Sequence, residues 1–352
     1  MVDALPQAAG ADNITNALRR AGVLGDACVR DAVAQSDRPT IVSRIIRLRL
    51  SYDGEAGDAP HSVILKTAHP ERIDIGWGAG SQEVAFYRDV AASTPHGLVP
   101  RCFEACVDTT AGSWHLLLED LTDSHITPTV WPLPPTLPAC ERIVETRAGF
   151  HAAWWDEPRL GVAIGKWHDA ATMERVMRDF AGHYARFADR LGDELSAEYR
   201  ALYEQLQRST GPLIARYESQ RNLTIVHGDA HVWNCFMPRD GGGDVRLFDW
   251  DSWRIGLGAT DLAYMMAVHW YPDRRRRMER ALLDRYHATL VEHGVHGYDR
   301  QALADDYRLA VLWQMITPVW QAAYNIPPVI WWNNMQRILL AVDDLGCREL
   351  LS

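Results

Sequence analysis

Cysteine is sparse and unpatterned in this chain of 352 residues. Cys28, Cys102, Cys106, Cys140, Cys235 and Cys347 are scattered, with no Cys-x-x-Cys pair and no zinc-ligand spacing. Free, mostly buried thiols are therefore expected, not a disulfide framework or a structural zinc site. No stretch approaches the roughly 18 consecutive apolar residues of a membrane-spanning helix. The opening MVDALPQAAGADNITNALRR also lacks a basic segment followed by an apolar one, so no secretory signal is legible. The expectation is a cytoplasmic protein with no membrane partner. Positive charge is in deficit too: Lys and Arg number 36 against 46 Asp and Glu, giving a net charge of −10 and a pI near 5.8. That argues against a nucleic-acid partner, which requires a basic face, and it suits an amine-bearing small molecule.

Apolar residues make up 47% of the sequence and charged ones 23%, enough for a soluble chain with a large core and two lobes. Ile14, Ala17, Leu18 and Ala21 fall on one helical face. Strands are expected at Ala27–Gln35, Ile41–Tyr52, His61–Ala68 and Trp114–Glu119, and a helix at Gln82–Val90 with Glu83 near its first turn. The glycines at Gly76, Gly78 and Gly80 read as a surface loop before that helix. The proline-rich segment 127–138 reads as a loop or lid. Helical spacing then dominates over Ala139–Trp155, Ala171–Leu206 and Thr260–Tyr271. His151 falls on such a pattern and reads as a packed histidine.

The most informative segment begins with the apolar run Leu223–Val226, which leads into His227-Gly228-Asp229, and Asn234 follows after four intervening residues. A second apolar run, Val245–Phe248, ends in Asp249-Trp250-Asp251. The glycine-rich 238–243 stretch between them reads as a hairpin turn. Two carboxylates and an amide converging at strand ends repel one another unless a cation sits between them, and hard oxygen donors suit Mg²⁺. An aspartate, four residues, an asparagine and a later metal-binding aspartate is the order found in kinase catalytic loops.

His227-Gly228-Asp229-Ala230-His231-Val232-Trp233-Asn234, Phe248-Asp249-Trp250-Asp251 and Asp261-Leu262-Ala263-Tyr264 together resemble the aminoglycoside phosphotransferase and choline kinase-like superfamily. The resemblance implies an α+β, bilobal protein-kinase-like fold. Residues 1–119 would form a small β-rich nucleotide-binding lobe and 120–352 a larger helical catalytic and substrate-binding lobe. It implies ATP or GTP as co-substrate with Mg²⁺, Asp229 as the group that takes the acceptor's proton, and Asn234 and Asp249 as the metal ligands. Asp261 would brace the catalytic loop. Lys66, on the third strand, is by itself either a solvated side chain or one held inward for an anion. Beside the downstream motif it becomes the lysine for the nucleotide phosphates, positioned by Glu83. Glu119 and Leu121 are the candidates for backbone pairing with the base.

One departure is plain: Gln35–Thr40, between the first two strands, contains no glycine, where many kinases cover the phosphates with a glycine-rich loop. No Ala-Pro-Glu segment follows Asp249, which disfavours a protein acceptor. Fourteen tryptophans are more than a core usually requires. Asp251, Trp253, Trp320, Tyr324 and Trp331 are the candidates for contact with a cyclic or amine-bearing acceptor, plausibly an antibiotic. The expected activity is phosphoryl transfer to a hydroxyl of a small molecule. The alternative is a catalytically silent kinase fold that binds nucleotide or a partner.

Overall fold

Alternation governs the first sheet. In Ser43–Asp53 the side chains of Ile46, Leu48 and Leu50 are buried, while Arg47 and Arg49 between them point the other way, as a half-buried strand requires. The computed structural model describes residues 5–40, 43–69, 73–110, 112–167 and 169–351. A five-stranded antiparallel sheet is built from β1 (Cys28–Pro39), β2 (Ser43–Asp53), β3 (Ser62–Ala68), β4 (Cys102–Asp108) and β5 (Ser113–Glu119), in the order β1-β2-β3-β5-β4. Helix α1 (Ala11–Arg20) lays Ile14, Ala17 and Leu18 on one face of it, in a core with Ile46, Leu48, Leu50, Val63, Leu65 and Leu117. Because strand side chains alternate, the burial of Val63 and Leu65 in that core sends Ile64 and Lys66 to the opposite face.

The glycines expected in a loop lie in a helix, α2 (Ile73–Ala85), so Glu83 sits near its C-terminal end and not in its first turn. The physical reason is packing. A Cβ on Gly80 would lie 1.9 Å from the indole of Trp114 on β5, so only glycine lets α2 seat against the sheet there. A π-helical turn, Phe86–Val90, continues the helix. The expected first loop, Gln35–Thr40, is mostly strand: β1 runs to Pro39, which pairs with Arg44. Of the expected second strand, Ile41 and Val42 lie outside the described residues.

Five short strands follow: β6 (His125–Ile126), β7 (Thr224–Val226), β8 (Cys235–Pro238), β9 (Arg246–Leu247) and β10 (Arg254–Gly256). β8 and β9 are adjacent across the 238–243 turn, with β6 on the other side of β8. β7 pairs with β10 instead, through Val226↔Arg254 and Thr224↔Gly256. The remaining helices are α3 (Leu137–Ala153), α4 (Ala170–Leu191), α5 (Ala197–Arg208), α6 (Thr210–Glu218), α7 (Ala259–Ala263), α8 (Pro272–Glu292), α9 (Arg300–Trp313), α10 (Thr317–Ala323) and α11 (Pro328–Asp344). The expected continuous helix at Thr260–Tyr271 is α7 followed by a π-helical turn, Tyr264–Val268.

By internal contact the chain divides into two units: Met1–Thr127 with Phe236–Trp253, and Pro128–Cys235 with Arg254–Ser352. The division differs from the expected 1–119 and 120–352 chiefly in giving the β8–β9 hairpin and Asp249 to the first unit. Among the described residues, no helix is long and apolar enough to cross a membrane.

Candidate active site

Lys66 leaves β3 on the face away from the α1 core, and its ammonium lies 2.7 Å from Glu83 Oε2 and 2.5 Å from Asp249 Oδ1. Lys66 and Glu83 are almost fully buried, at 6% and 1% exposure. Burial by itself would lower the lysine pKa, but the charges of Asp249 and Glu83 outweigh it and hold the group above its ordinary value. Burial pushes the Glu83 carboxyl up, against the pull of Lys66. The ammonium is therefore a permanent charge. Asp251 adds to the negative field on it and accepts a hydrogen bond from the Ser252 hydroxyl at 2.8 Å.

The turn that presents Asp249 is held by its neighbours. Asp249 itself has φ +69°, a left-handed conformation that a non-glycine residue keeps only when its surroundings impose it. Trp250 is fully buried, stacks on Phe86 with ring centroids 4.0 Å apart and donates its indole N–H to Leu247 C=O. Trp253 Nε1 donates to Gln82 C=O, and the Gln82 amide donates back to Trp253 C=O, each at 2.8 Å. The helix end that carries Glu83 and the turn that carries Asp249 are thus clasped together. Trp253, at 4% exposure with its donor spent, serves this clasp and does not offer an acceptor surface. Gln82, Phe86 and Trp250 were not singled out from the sequence.

Glu119 N–H donates to Arg101 C=O, and its carboxylate accepts from Arg101 N–H. Leu121 C=O accepts from His125 N–H at 2.8 Å, while Leu121 N–H has no hydrogen-bond partner among the described residues. The Leu121 N–H is thus left as a backbone donor.

In the second unit the loop after β7 is tied to α7. Asp261, buried at 1% exposure, accepts His227 N–H at 2.8 Å and Gly228 N–H at 3.1 Å. Its Oδ2 also lies 3.2 Å from His151 Nε2, and His151 Nδ1 lies 2.8 Å from the Tyr286 hydroxyl. Burial would raise the Asp261 carboxyl, yet the His151 hydrogen bond and the electrostatic influence of His151, Arg147 and His227 hold it well below the usual carboxylate range. Gly258 completes the fit, since a Cβ there would meet the Tyr286 hydroxyl at 2.2 Å. His151 is packed, as its helical spacing suggests, and it also positions the loop's anchor.

Beyond that anchor a 3₁₀ turn, Val232–Asn234, bends the chain back. Asn234 Nδ2 donates to both the backbone C=O of Asp229, at 2.9 Å, and its Oδ2, at 3.1 Å. The amide nitrogen is thereby committed to orienting Asp229, and Asn234 Oδ1 is left as an acceptor that receives no hydrogen bond among the described residues. Asp229 Oδ2 also lies 3.5 Å from His231 Nε2. The structure therefore gathers Lys66, Glu83 and Asp249 in the first unit, and Asp229 and Asn234 in the second. As donor chemistry, an amide oxygen and a carboxylate suit Mg²⁺, which completes its shell with water and phosphate oxygens.

Of the aromatic candidates, Trp331 is buried at 4% exposure, edge-on to Phe187 and under Arg190. Its ring is packed, while its indole N–H has no hydrogen-bond partner among the described residues. Trp320 stacks on Tyr324, which is 58% exposed, and lies 4.5 Å from the His183 ring.

The model of the ecdysteroid kinase-like family matches residues 40–296. The chain belongs to the ecdysteroid kinase-like family. No curated protein matches it. Among solved structures, a Ralstonia eutropha protein assigned to the aminoglycoside phosphotransferases is similar over 97% of this chain and 98% of its own, with 13% identity and a TM-score of 0.59. A choline kinase from Cryptosporidium parvum is similar over 91% of each chain, with 9% identity and a TM-score of 0.59. A choline kinase from Streptococcus pneumoniae covers 94% of this chain and 98% of its own, with 14% identity and a TM-score of 0.51. At such identities the likeness shows the fold alone, a kinase-like fold shared with small-molecule phosphotransferases, as the motif resemblance implies.

Proposed function

We propose that this ecdysteroid kinase-like protein transfers the γ-phosphoryl group of ATP or GTP to a hydroxyl of a small molecule. The observation that carries the reading is the buried Lys66 ammonium held between Glu83 and Asp249. An always-charged donor fixed by a helix carboxylate is what phosphate oxygens require, because catalysis of phosphoryl transfer rests on positioning and charge neutralisation.

Asp229 accepts the acceptor's hydroxyl proton as that oxygen bonds to the γ-phosphorus and the bond to the β-phosphate oxygen breaks. Asn234 holds Asp229 in one orientation through its two amide hydrogen bonds, and Asp261 fixes the start of the loop. Asn234 Oδ1 and the Asp249 carboxylate are the groups that would hold Mg²⁺, which when bound offsets phosphate charge. The Leu121 N–H is suited to pair with the base edge.

The test is a mass-detected phosphorylation screen of alcohols with the wild-type protein and with Asp229→Asn. The wild type should add one phosphate-sized mass to at least one acceptor. Asp229→Asn should lose about 10²–10⁴-fold in kcat, the range for removing a general base, with nucleotide affinity within about twofold. Near-normal transfer by Asp229→Asn would sink the role assignment. The glycine-free connection between β1 and β2 favours the silent-kinase reading, and acceptor-dependent nucleotide turnover by the wild type excludes it.

A further inference from the structure

Polar atoms without hydrogen-bond partners among the described residues cluster next to the loop that holds Asp229. His231, whose Nε2 lies 3.5 Å from Asp229, faces His269 edge-on with ring centroids 5.5 Å apart. Among the described residues, the buried His231 Nδ1 and His269 Nε2 both lack hydrogen-bond partners, and so does Arg337 Nε. Two residues past His269, the Tyr271 ring lies under the Arg337 guanidinium at 4.3 Å, and the Tyr271 hydroxyl donates to Asn333. Half-buried Arg337 makes one side-chain hydrogen bond, to Asn334 Oδ1 at 3.3 Å. No carboxylate lies within ion-pair distance of it among the described residues.

The contrast with neighbouring arginines is informative. In the same unit Arg216 is paired with Asp306, Arg275 with Glu279 and Asp344, and Arg308 with Glu349. Arg190, over Trp331, and Arg337, over Tyr271, instead lie against aromatic rings and have no carboxylate partner among the described residues. A half-buried guanidinium retains its charge whatever its surroundings and presents a planar fork of donors that matches oxyanions. Burial first, and then the electrostatic influence of His231, Arg337 and Arg147, pushes His269 well below its ordinary pKa, in keeping with the positive charge that Arg337 and Arg147 bring to this region.

We propose that Arg337 determines acceptor specificity, and that the acceptor carries an oxyanion group, with a planar body to lie along the rings, as well as the hydroxyl that is phosphorylated. This rests on the phosphotransferase reading and departs from the amine-bearing acceptor that the chain's overall acidity suggests. Net charge is summed over the whole surface, whereas recognition depends on the few groups that meet the ligand.

The test uses four matched probes: 4-(hydroxymethyl)benzoate, 4-(hydroxymethyl)phenyl phosphate, 1,4-benzenedimethanol and 4-(aminomethyl)benzyl alcohol. The wild type should favour an anionic probe over the ammonium probe by about tenfold or more in kcat/KM, the order expected of one charge-assisted bidentate contact. The two anionic probes report whether carboxylate or phosphate is the better match. Arg337→Gln should abolish the preference while leaving the KM for nucleotide unmoved, and Arg337→Lys should keep part of it. If Arg337→Gln fails to fold, the Lys variant still decides, through a reduced anion preference with activity retained. A uniform loss on all four probes would mark Arg337 as a mere clamp on Tyr271 and overturn the proposal. So would preference for the ammonium probe, equal use of all four, or use of none with nucleotide binding intact. Loss of nucleotide binding by the wild type itself would strike the phosphotransferase reading instead.

Discussion

Replacing Lys66 with methionine isolates the electrostatics of the nucleotide side. The methionine keeps the aliphatic bulk and removes the ammonium, so Glu83, at 1% exposure, and the adjacent Asp249 lose the positive charge between them. Breaking a buried pair by deleting one partner costs about 3–5 kcal/mol, because the remaining charge is left uncompensated. Part of that cost is relieved when Glu83 takes up a proton. In the wild type Lys66 opposes that uptake, while burial and Asp249 favour it. In the variant burial and Asp249 are opposed only by the backbone hydrogen bond of Trp250, so the folded carboxyl titrates above its unfolded value of about 4.3.

A group raised in this way contributes stability that is fully present below its unfolded pKa and is lost as pH rises through its folded pKa. The deficit of Lys66→Met relative to wild type should therefore be smallest near pH 5 and grow towards pH 8, with a limiting slope of about 1.4 kcal/mol per pH unit for one proton. The wild-type lysine adds no slope of its own in this window. Its pKa is raised in the folded state, so its contribution is constant below the unfolded lysine value of about 10.4. Urea denaturation at pH 5, 6.5 and 8 measures the effect. Glu83→Gln placed on the same background should flatten the pH dependence and recover part of the loss. A deficit equal at pH 5 and pH 8, or no recovery in the double variant, would refute the coupling. In parallel, kcat/KM for nucleotide should fall about 10²–10³-fold, as when one preorganised donor to a transition-state oxyanion is lost.

Asp261→Asn leaves two backbone N–H groups and His151 facing a neutral amide, and should cost about 3–5 kcal/mol at pH 7. Because the Asp261 pKa is depressed on folding, its contribution is present above the unfolded value of about 3.9 and lost as pH falls through the folded pKa, so the wild-type and variant denaturation curves should converge in strong acid. Gly80→Ala must displace the Trp114 indole or α2. Overpacking at about 1–3 kcal/mol should exceed the gain of about 1 kcal/mol in helix propensity, and the urea midpoint should fall. Among the six thiols only Cys28 is exposed, while burial pushes Cys102 and Cys347 up to about 12 and Cys140 up to about 11. Ellman's reagent should therefore titrate about one thiol quickly in the native protein and all six in denaturant.

What could be read from the sequence was what local pattern encodes. The strand bearing Lys66 is legible because Val63 and Leu65 alternate with Ile64 and Lys66, and the reach from Asp229 to Asn234 is legible because four residues suffice for one tight turn. A further signal was present: Lys66 and Lys166 are the only lysines in the chain, so a lysine kept within an apolar strand, where arginine is otherwise the rule, already marked a site needing a compact charge. Three glycines within five residues looked like a loop because helix propensity is a local average. The cause of the helix, the Trp114 indole against Gly80, is more than thirty residues away in sequence.

The pairing of β7 with β10 and the clasp of Trp253 on Gln82 are equally nonlocal, and they show why aromatic content could not separate packing from recognition. A tryptophan becomes structural when its N–H finds a partner and its ring a stacking face, as at Trp250 and Trp253, and both depend on what the fold brings near. Arginine follows the same logic with the opposite outcome. Arg337 is uninformative in the sequence because it sits among ordinary helix residues. It becomes a recognition candidate once the fold sets it on an aromatic ring without, among the described residues, the carboxylate that Arg216 and Arg275 have. In this chain the groups proposed for catalysis are carried by short-range spacing and those proposed for acceptor recognition by long-range pairing, so a reaction class could be proposed from residues a few positions apart while a substrate could not.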